Sequence, residues 1–136
     1  MSITYDHVAL RVTDLDAAIS FCRDLLELEL VSRSETGSQS VFKVGTELLV
    51  LFCREANESV PDGTSFGTDH VAFCLEGDHY ERVLGRLRKD EGVLRGPTVN
   101  KGAQGDGLAT YFRDPDGNEL EIKTYDPGVI AAQANG

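Results

Sequence analysis

Five residues near the start of the chain, Asp6-His7-Val8-Ala9-Leu10, return as Asp69-His70-Val71-Ala72-Phe73. Each copy has strand character, and each is followed at the same offset by a segment of helical spacing. The chain is therefore two copies of one small unit. Neither copy can bury a full sheet face alone, so the two are expected as tandem modules of one fold. The repeat also sets two of the three histidines at equivalent places. Imidazole is the commonest metal-ligating side chain, so the pair is a candidate metal site.

Each copy reads β-α-β-β-β. In the first, Tyr5 to Val12 is a strand, and Thr13-Asp14-Leu15-Asp16 is a helix start with Thr13 as its cap. Ala18, Phe21, Cys22, Leu25 and Leu26 then recur at helical spacing, and Leu28 to Ser34 returns to strand. Gly37-Ser38 is a turn, and Ser40–Val44 and Glu47–Cys53 form a hairpin around Gly45-Thr46. In the second copy Tyr80, Val83, Leu84 and Leu87 give a helix its apolar stripe. Val93-Leu94 is the expected second strand, and Pro97 to Gly107 a loop with three glycines that carries Lys101. Leu108–Arg113 and Glu119–Tyr125 are strands joined by the tight turn Asp114-Pro115-Asp116-Gly117. The expected boundaries are 3–54 and 69–126 for the modules, 55–68 for a polar linker, and 127–136 for a loosely held tail.

At 40% hydrophobic and 26% charged residues, the 136-residue chain has the composition of one globular domain. No apolar run approaches the ~20 residues of a membrane helix. The first residues, Met1 to Asp6, carry neither a basic stretch nor an apolar signal core, so a cytoplasmic protein is expected. Cys22, Cys53 and Cys74 stand in apolar surroundings without a CxxC pair and read as buried reduced thiols. The net charge of −10 argues against binding nucleic acid through its phosphates, and suits cationic ligands or simply a solvated surface.

Two neutral imidazoles need an anionic partner to complete a divalent site. In the last strand Glu119, Glu121 and Lys123 share one face, and Leu120 and Ile122 the other. If the apolar pair packs on the helix, Glu121 faces the interior of the module pair. The ordinary fate of such a charged face is solvation. The third histidine, His79, has no counterpart in the first copy and reads as a surface residue at a helix start.

Asp6-His7-Val8-Ala9-Leu10-Arg11-Val12, the helix after it, and Tyr111-Phe112-Arg113-Asp114-Pro115-Asp116-Gly117-Asn118-Glu119-Leu120-Glu121 together resemble the vicinal oxygen chelate superfamily. This is the group of glyoxalase I, bleomycin-resistance proteins and extradiol dioxygenases, and the resemblance spans residues 3–126. It implies a single α+β domain over 1–136, two tandem βαβββ modules forming a curved sheet around a metal-containing cavity. It further implies that His7, His70 and Glu121 ligate one divalent ion per site, Fe(II), Mn(II), Ni(II) or Zn(II). The expected partner is a small molecule chelating that ion through adjacent oxygens. A homodimer is expected, because members built from one pair of modules commonly complete their cavities across an interface.

The departures narrow the chemistry. Glyoxalase I places a fourth ligand, usually Glu, in the last strand of the first module. Whichever of Leu49, Val50 or Leu51 fills that slot here is apolar, and Glu47 could contribute only by a shifted register. This counts against a glyoxalase I-like lyase of the lactoylglutathione type. Extradiol dioxygenases and fosfomycin-modifying thiol transferases of the superfamily use a two-His, one-Glu triad and a tyrosine ten residues before the glutamate, where Tyr111 stands. The extradiol pattern also has a histidine shortly before that tyrosine, absent from Lys101–Gly107. The fosfomycin enzymes have a threonine where Ala9 stands and a downstream arginine, and no arginine follows Arg113. Arg11 occupies the place of a glyoxalase arginine that binds a glutathione carboxylate, and Lys101 is a second candidate contact for the substrate. The residues thus imply a metal-dependent enzyme, tilted toward dioxygenase chemistry. The alternatives are the lyase and a non-catalytic drug-binding protein of the bleomycin-resistance type.

Overall fold

The computed structural model describes residues 5–53 and 68–134. The chain divides into two compact units, Met1–Phe66 and Gly67–Gly136. The proposed linker falls almost wholly outside the described residues. Each unit has the β-α-β-β-β order, and the class is α+β.

The first unit comprises β1 (His7–Val12), α1 (Leu15–Ser20), which continues through a π-helical turn at Phe21–Leu25, β2 (Glu29–Arg33), β3 (Gln39–Val44) and β4 (Glu47–Cys53). Its sheet runs β1-β4-β3-β2, with β1 parallel to β4 and the other pairs antiparallel. The α1 segment lies over β3 and β4. Leu15, Ala18, Ile19, Cys22 and Leu26 meet Phe42, Leu49 and Leu51 in a buried layer, where each large side chain contributes about 1.5–3 kcal/mol. The cap of α1 is Asp14 rather than Thr13: the Ala17 amide donates to its Oδ1 at 3.1 Å. Asp14 is the residue with extended backbone next to the first helical turn, where a side-chain oxygen reaches an orphan amide. Asp14→Ala should destabilise the protein by about 1 kcal/mol in urea unfolding. An unchanged midpoint would mean that the amide finds another partner.

The second unit comprises β5 (Val71–Cys74), α2 (Gly77–Lys89), β6 (Arg95–Gly102), β7 (Gly105–Arg113), β8 (Glu119–Thr124) and α3 (Pro127–Ala134). Its sheet repeats the first in the order β5-β8-β7-β6. Tyr80, Val83, Leu84 and Leu87 are buried as the helical spacing requires, and the Tyr80 hydroxyl pairs with Thr110 Oγ1 at 2.6 Å. The helix ends in a Schellman motif, with Gly92 N donating to Leu87 O and Glu91 N to Arg88 O, and with Glu91 at φ 54°. The first unit stops its helix the same way at Glu27, φ 62°. There the closing bond runs from Leu28 N to Cys22 O, one residue wider because of the π-helical turn.

Three expectations are corrected here. The segment read as a loop from Pro97 is β6, an edge strand that accommodates Gly96-Pro97 at a register shift between Arg95 and Thr98. A proline costs no ladder bond at such a place. Lys101 accordingly sits on a strand, exposed and paired with Asp106, and not on a flexible loop. The expected loose tail forms α3. Asp126 Oδ1 accepts from Gly128 N at 2.9 Å, Pro127 opens the helix, and Val129 is buried. Gly77 makes room for it, since a Cβ there would overlap Asp126 and Val129. Of the cysteines only Cys22 is buried; Cys53 is half-buried and Cys74 exposed.

Candidate metal centre

Strand alternation decides what each unit presents. On β1, His7, Ala9 and Arg11 share the exposed face, while Val12 is buried. On β8, Leu120 and Ile122 turn to the helix-backed core, which leaves Glu121 and Lys123 on the opposite face. That face is not solvated: the Glu121 side chain is 6% exposed and that of Lys123 7%.

The tight turn between β7 and β8 sets the register. Asp114 is buried and accepts from the amides of Asp116 and Asn118 and from Asn118 Nδ2 at 2.8–3.0 Å, while Gly117 takes φ 86°. Burial pushes the Asp114 carboxyl up from its ordinary pKa, against the pull of those hydrogen bonds. The pairing that follows puts Tyr111 directly opposite Glu121. The spacing of ten residues in the sequence is thus one cross-strand step in space.

Glu121 Oε1 lies 3.1 Å from His70 Nε2. His70 Nδ1 meets Asp69 Oδ2 at 2.8 Å, and in the first unit His7 Nδ1 meets Asp6 Oδ2 at 2.6 Å. An aspartate that accepts a hydrogen bond from Nδ1–H leaves the Nε2 lone pair outward, the arrangement carboxylates impose on metal-ligating histidines. In the second unit that lone pair then faces a carboxylate oxygen. Two acceptors at hydrogen-bond distance require a positive charge between them, either a proton or a metal ion. The donor set therefore fits a divalent cation.

Tyr111 completes the wall. Its ring meets His70 edge-on, with centroids 5.6 Å apart, and the Arg95 guanidinium lies 4.3 Å from its centroid. Its oxygen accepts from Asn100 Nδ2 at 3.0 Å. Burial first, and then Glu121, push the phenol above its ordinary pKa, so the hydroxyl keeps its proton. Arg95 is itself fixed by Glu119, at 2.8 Å. Lys123 Nζ reaches Glu121 Oε2 at 3.6 Å and bonds Asn100 Oδ1. A cavity of about 420 Å³ opens on His70, Asn100, Tyr111, Glu121 and Lys123. A wider depression of about 580 Å³, lined by Cys74, Gln104, Tyr125 and Asp126 among others, has neither a histidine nor Glu121 in its wall.

The second unit thus brings together His70, Glu121 and Tyr111. Lys101 lies at the rim of the same cavity, and His7 and Arg11 belong to the exposed face of β1. His79 is half-buried in the first turn of α2. Register also answers which residue stands where the fourth ligand would be. Glu121 pairs with Ala72, two residues past His70, and Val50 pairs with Ala9, two residues past His7. Val50 therefore holds the slot, and Glu47, bonded by the Thr46 hydroxyl at the β3–β4 turn, does not. Among the described residues, Asp69, His70 and Glu119 form a second group with ligand atoms within 4.8 Å of one another. Sequence reasoning passed over Asn100, Arg95 and Lys123. Only Lys123 carried a signal, its place on the Glu121 face.

The family model for the Glyoxalase/Bleomycin resistance protein/Dioxygenase superfamily matches residues 4–122. The chain belongs to this superfamily. It is 33% identical over 128 residues to the glutathione transferase FosA of Serratia marcescens, covering 94% of this chain and 83% of that one. It is 27% identical over 128 residues to the metallothiol transferase FosB of Staphylococcus epidermidis, covering 91% of this chain and 84% of the relative. A glyoxalase/dioxygenase from Nostoc punctiforme has the same fold at TM-score 0.70 and 26% identity, covering 87% of this chain and 88% of that one. No helix among the described residues is long and apolar enough to cross a membrane.

Proposed function

We propose that this chain is a divalent-metal-dependent enzyme of the thiol-transferase type, with His7, His70 and Glu121 as metal ligands. The observation that carries the reading is the 3.1 Å approach of His70 Nε2 to the buried Glu121 carboxylate while Asp69 holds Nδ1. The thiol-transferase choice is supported by likeness to FosA and FosB over most of the chain. When bound, the ion supplies Lewis acidity to a substrate that chelates it through adjacent oxygens.

The protein's own groups do the rest. Asp6 and Asp69 orient the two imidazoles. Tyr111 offers a protonated hydroxyl, its oxygen steadied by Asn100, that donates to a substrate oxygen as charge grows on it. Arg11 and Lys101 remain candidate contacts for charged parts of the substrate. Ala9 in place of the threonine of the fosfomycin enzymes points to a different acceptor.

A second reading, the dioxygenase, is supported by likeness to the Nostoc punctiforme glyoxalase/dioxygenase; Val50, which leaves the triad without a fourth carboxylate, suits both readings and counts against the lyase. Metal-loaded protein should be assayed in parallel for glutathione consumption with fosfomycin and other small oxygenated electrophiles, and for oxygen uptake with catechols. Glutathione consumption that falls about 10²-fold in Tyr111→Phe is expected. Oxygen uptake without thiol transfer would select the second reading. Retention of a cationic drug by protein purified without metal would select the binding-protein alternative.

A further inference from the structure

We propose that Lys123 is a substrate-positioning residue: its ammonium anchors an acidic oxygen group of a small oxyanion beside the His70–Glu121 pair. This deepens the metal-enzyme reading and takes its charge balance from it. A buried lysine in mid-strand is costly to desolvate and needs a paired charge or hydrogen-bond acceptors around it. Here the side chain is 7% exposed, lies 3.6 Å from Glu121 Oε2, bonds Asn100 Oδ1 and lines the cavity. Gly102 leaves room beside it: a Cβ there would crowd the Tyr125 hydroxyl first and then Lys123 Cε, 2.5 Å away.

The charges then decide what the cavity binds. Without metal, the Glu121 carboxylate and the Lys123 ammonium cancel. A divalent ion on His70 and Glu121 adds two positive charges. The other lining groups are neutral or, as with Lys101, cationic, and Asp69 stands behind His70 on its Nδ1. Glu121 meets His70 through Oε1 and Lys123 through Oε2, so with an ion present its single negative charge is shared and no longer balances the ammonium. The missing counter-charge is supplied by a negatively charged oxygen group of the substrate, held by the ammonium and the Asn100 amide. Neutral substrates of the same shape leave the excess charge unbalanced and are disfavoured.

Two pairs of proteins test this by calorimetric titration with inorganic phosphate. In the metal-free pair, Glu121→Gln removes the carboxylate that faces Lys123 and leaves its bond to Asn100. It should bind phosphate at least about tenfold more tightly than Glu121→Gln/Lys123→Met, the ratio one charge-assisted hydrogen bond carries. In the Mn(II)-loaded pair, the unaltered chain should exceed Lys123→Met by a similar factor. Mn(II) itself should bind Lys123→Met at least as tightly, because a nearby cation has been removed. Lys123→Arg should recover part of the phosphate affinity. Acetate titrated in parallel distinguishes a carboxylate from a phosphorus oxyacid. Equal phosphate affinity within the metal-free pair overturns the proposal, as does a matching fall in Mn(II) affinity for Lys123→Met. Failure of the unaltered chain to bind Mn(II) sinks the metal reading instead, and the metal-free pair still judges the anchor.

Discussion

Glu121→Gln abolishes metal retention and every effect that depends on it: this is the largest change expected of any single substitution. The unaltered chain should gain thermal stability on adding Mn(II) or Zn(II), by about 2.7 kcal/mol at a hundredfold excess over Kd. For a chain of this size that is a rise of about 5–15 °C in melting temperature. Glu121→Gln should show no rise and no retained metal by elemental analysis. The reason lies in the donor set. Glu121 is buried against His70 Nε2, and a neutral amide there supplies no charge to draw the ion out of water. Glu119→Gln is the informative control. Glu119 is tied to Arg95 at 2.8 Å, so its loss should leave metal binding intact. A thermal gain kept by Glu121→Gln and lost by Glu119→Gln would move the ion to the Asp69-His70-Glu119 group.

Phe112→Ala should produce the largest loss of stability, about 3–5 kcal/mol. Phe112 is 0% exposed and pairs with Leu120 on the face of β7 that also carries Thr110 and meets α2 through Tyr80. Few contacts remain to collapse into the space left, because its neighbours are held by two sheet ladders. That loss is comparable with the whole stability of a marginal domain, about 5–15 kcal/mol. Urea and thermal unfolding read it directly. A change below about 1 kcal/mol would mean that the surrounding side chains relax into the space left. The site should feel it too, because Tyr111 is the next residue and its ring packs against His70.

Much of this architecture was legible in residue order. The duplicated Asp-His-Val-Ala placed both β-α-β-β-β units. The Asp114–Gly117 turn with alternating Glu119–Lys123 placed Glu121 on the face away from the helix. What escaped reading depends on packing at a distance. Segment 95–102, with Gly96, Pro97 and Gly102, has the composition of a loop, yet β7 supplies the ladder that makes it a strand. The α3 helix has little amphipathic pattern; Asp126 caps it and Gly77, far away in sequence, clears its seat. The site followed the same rule. Tyr111 and Glu121 could be named from a ten-residue spacing, whereas Asn100 and Arg95 enter only because β6 pairs with β7.

By itself the sequence determined the duplication, the pair of histidines with their preceding aspartates, and the imbalance of acids between the copies. These are local or periodic properties, written in side-chain type and spacing. Tertiary structure decided that Val50 is the residue in the empty ligand slot, that Glu121 and Lys123 are buried and not solvated, and that Lys123 shares Asn100 with Tyr111. Register and burial are set by which strands pair and what covers them, and no spacing along one strand contains either.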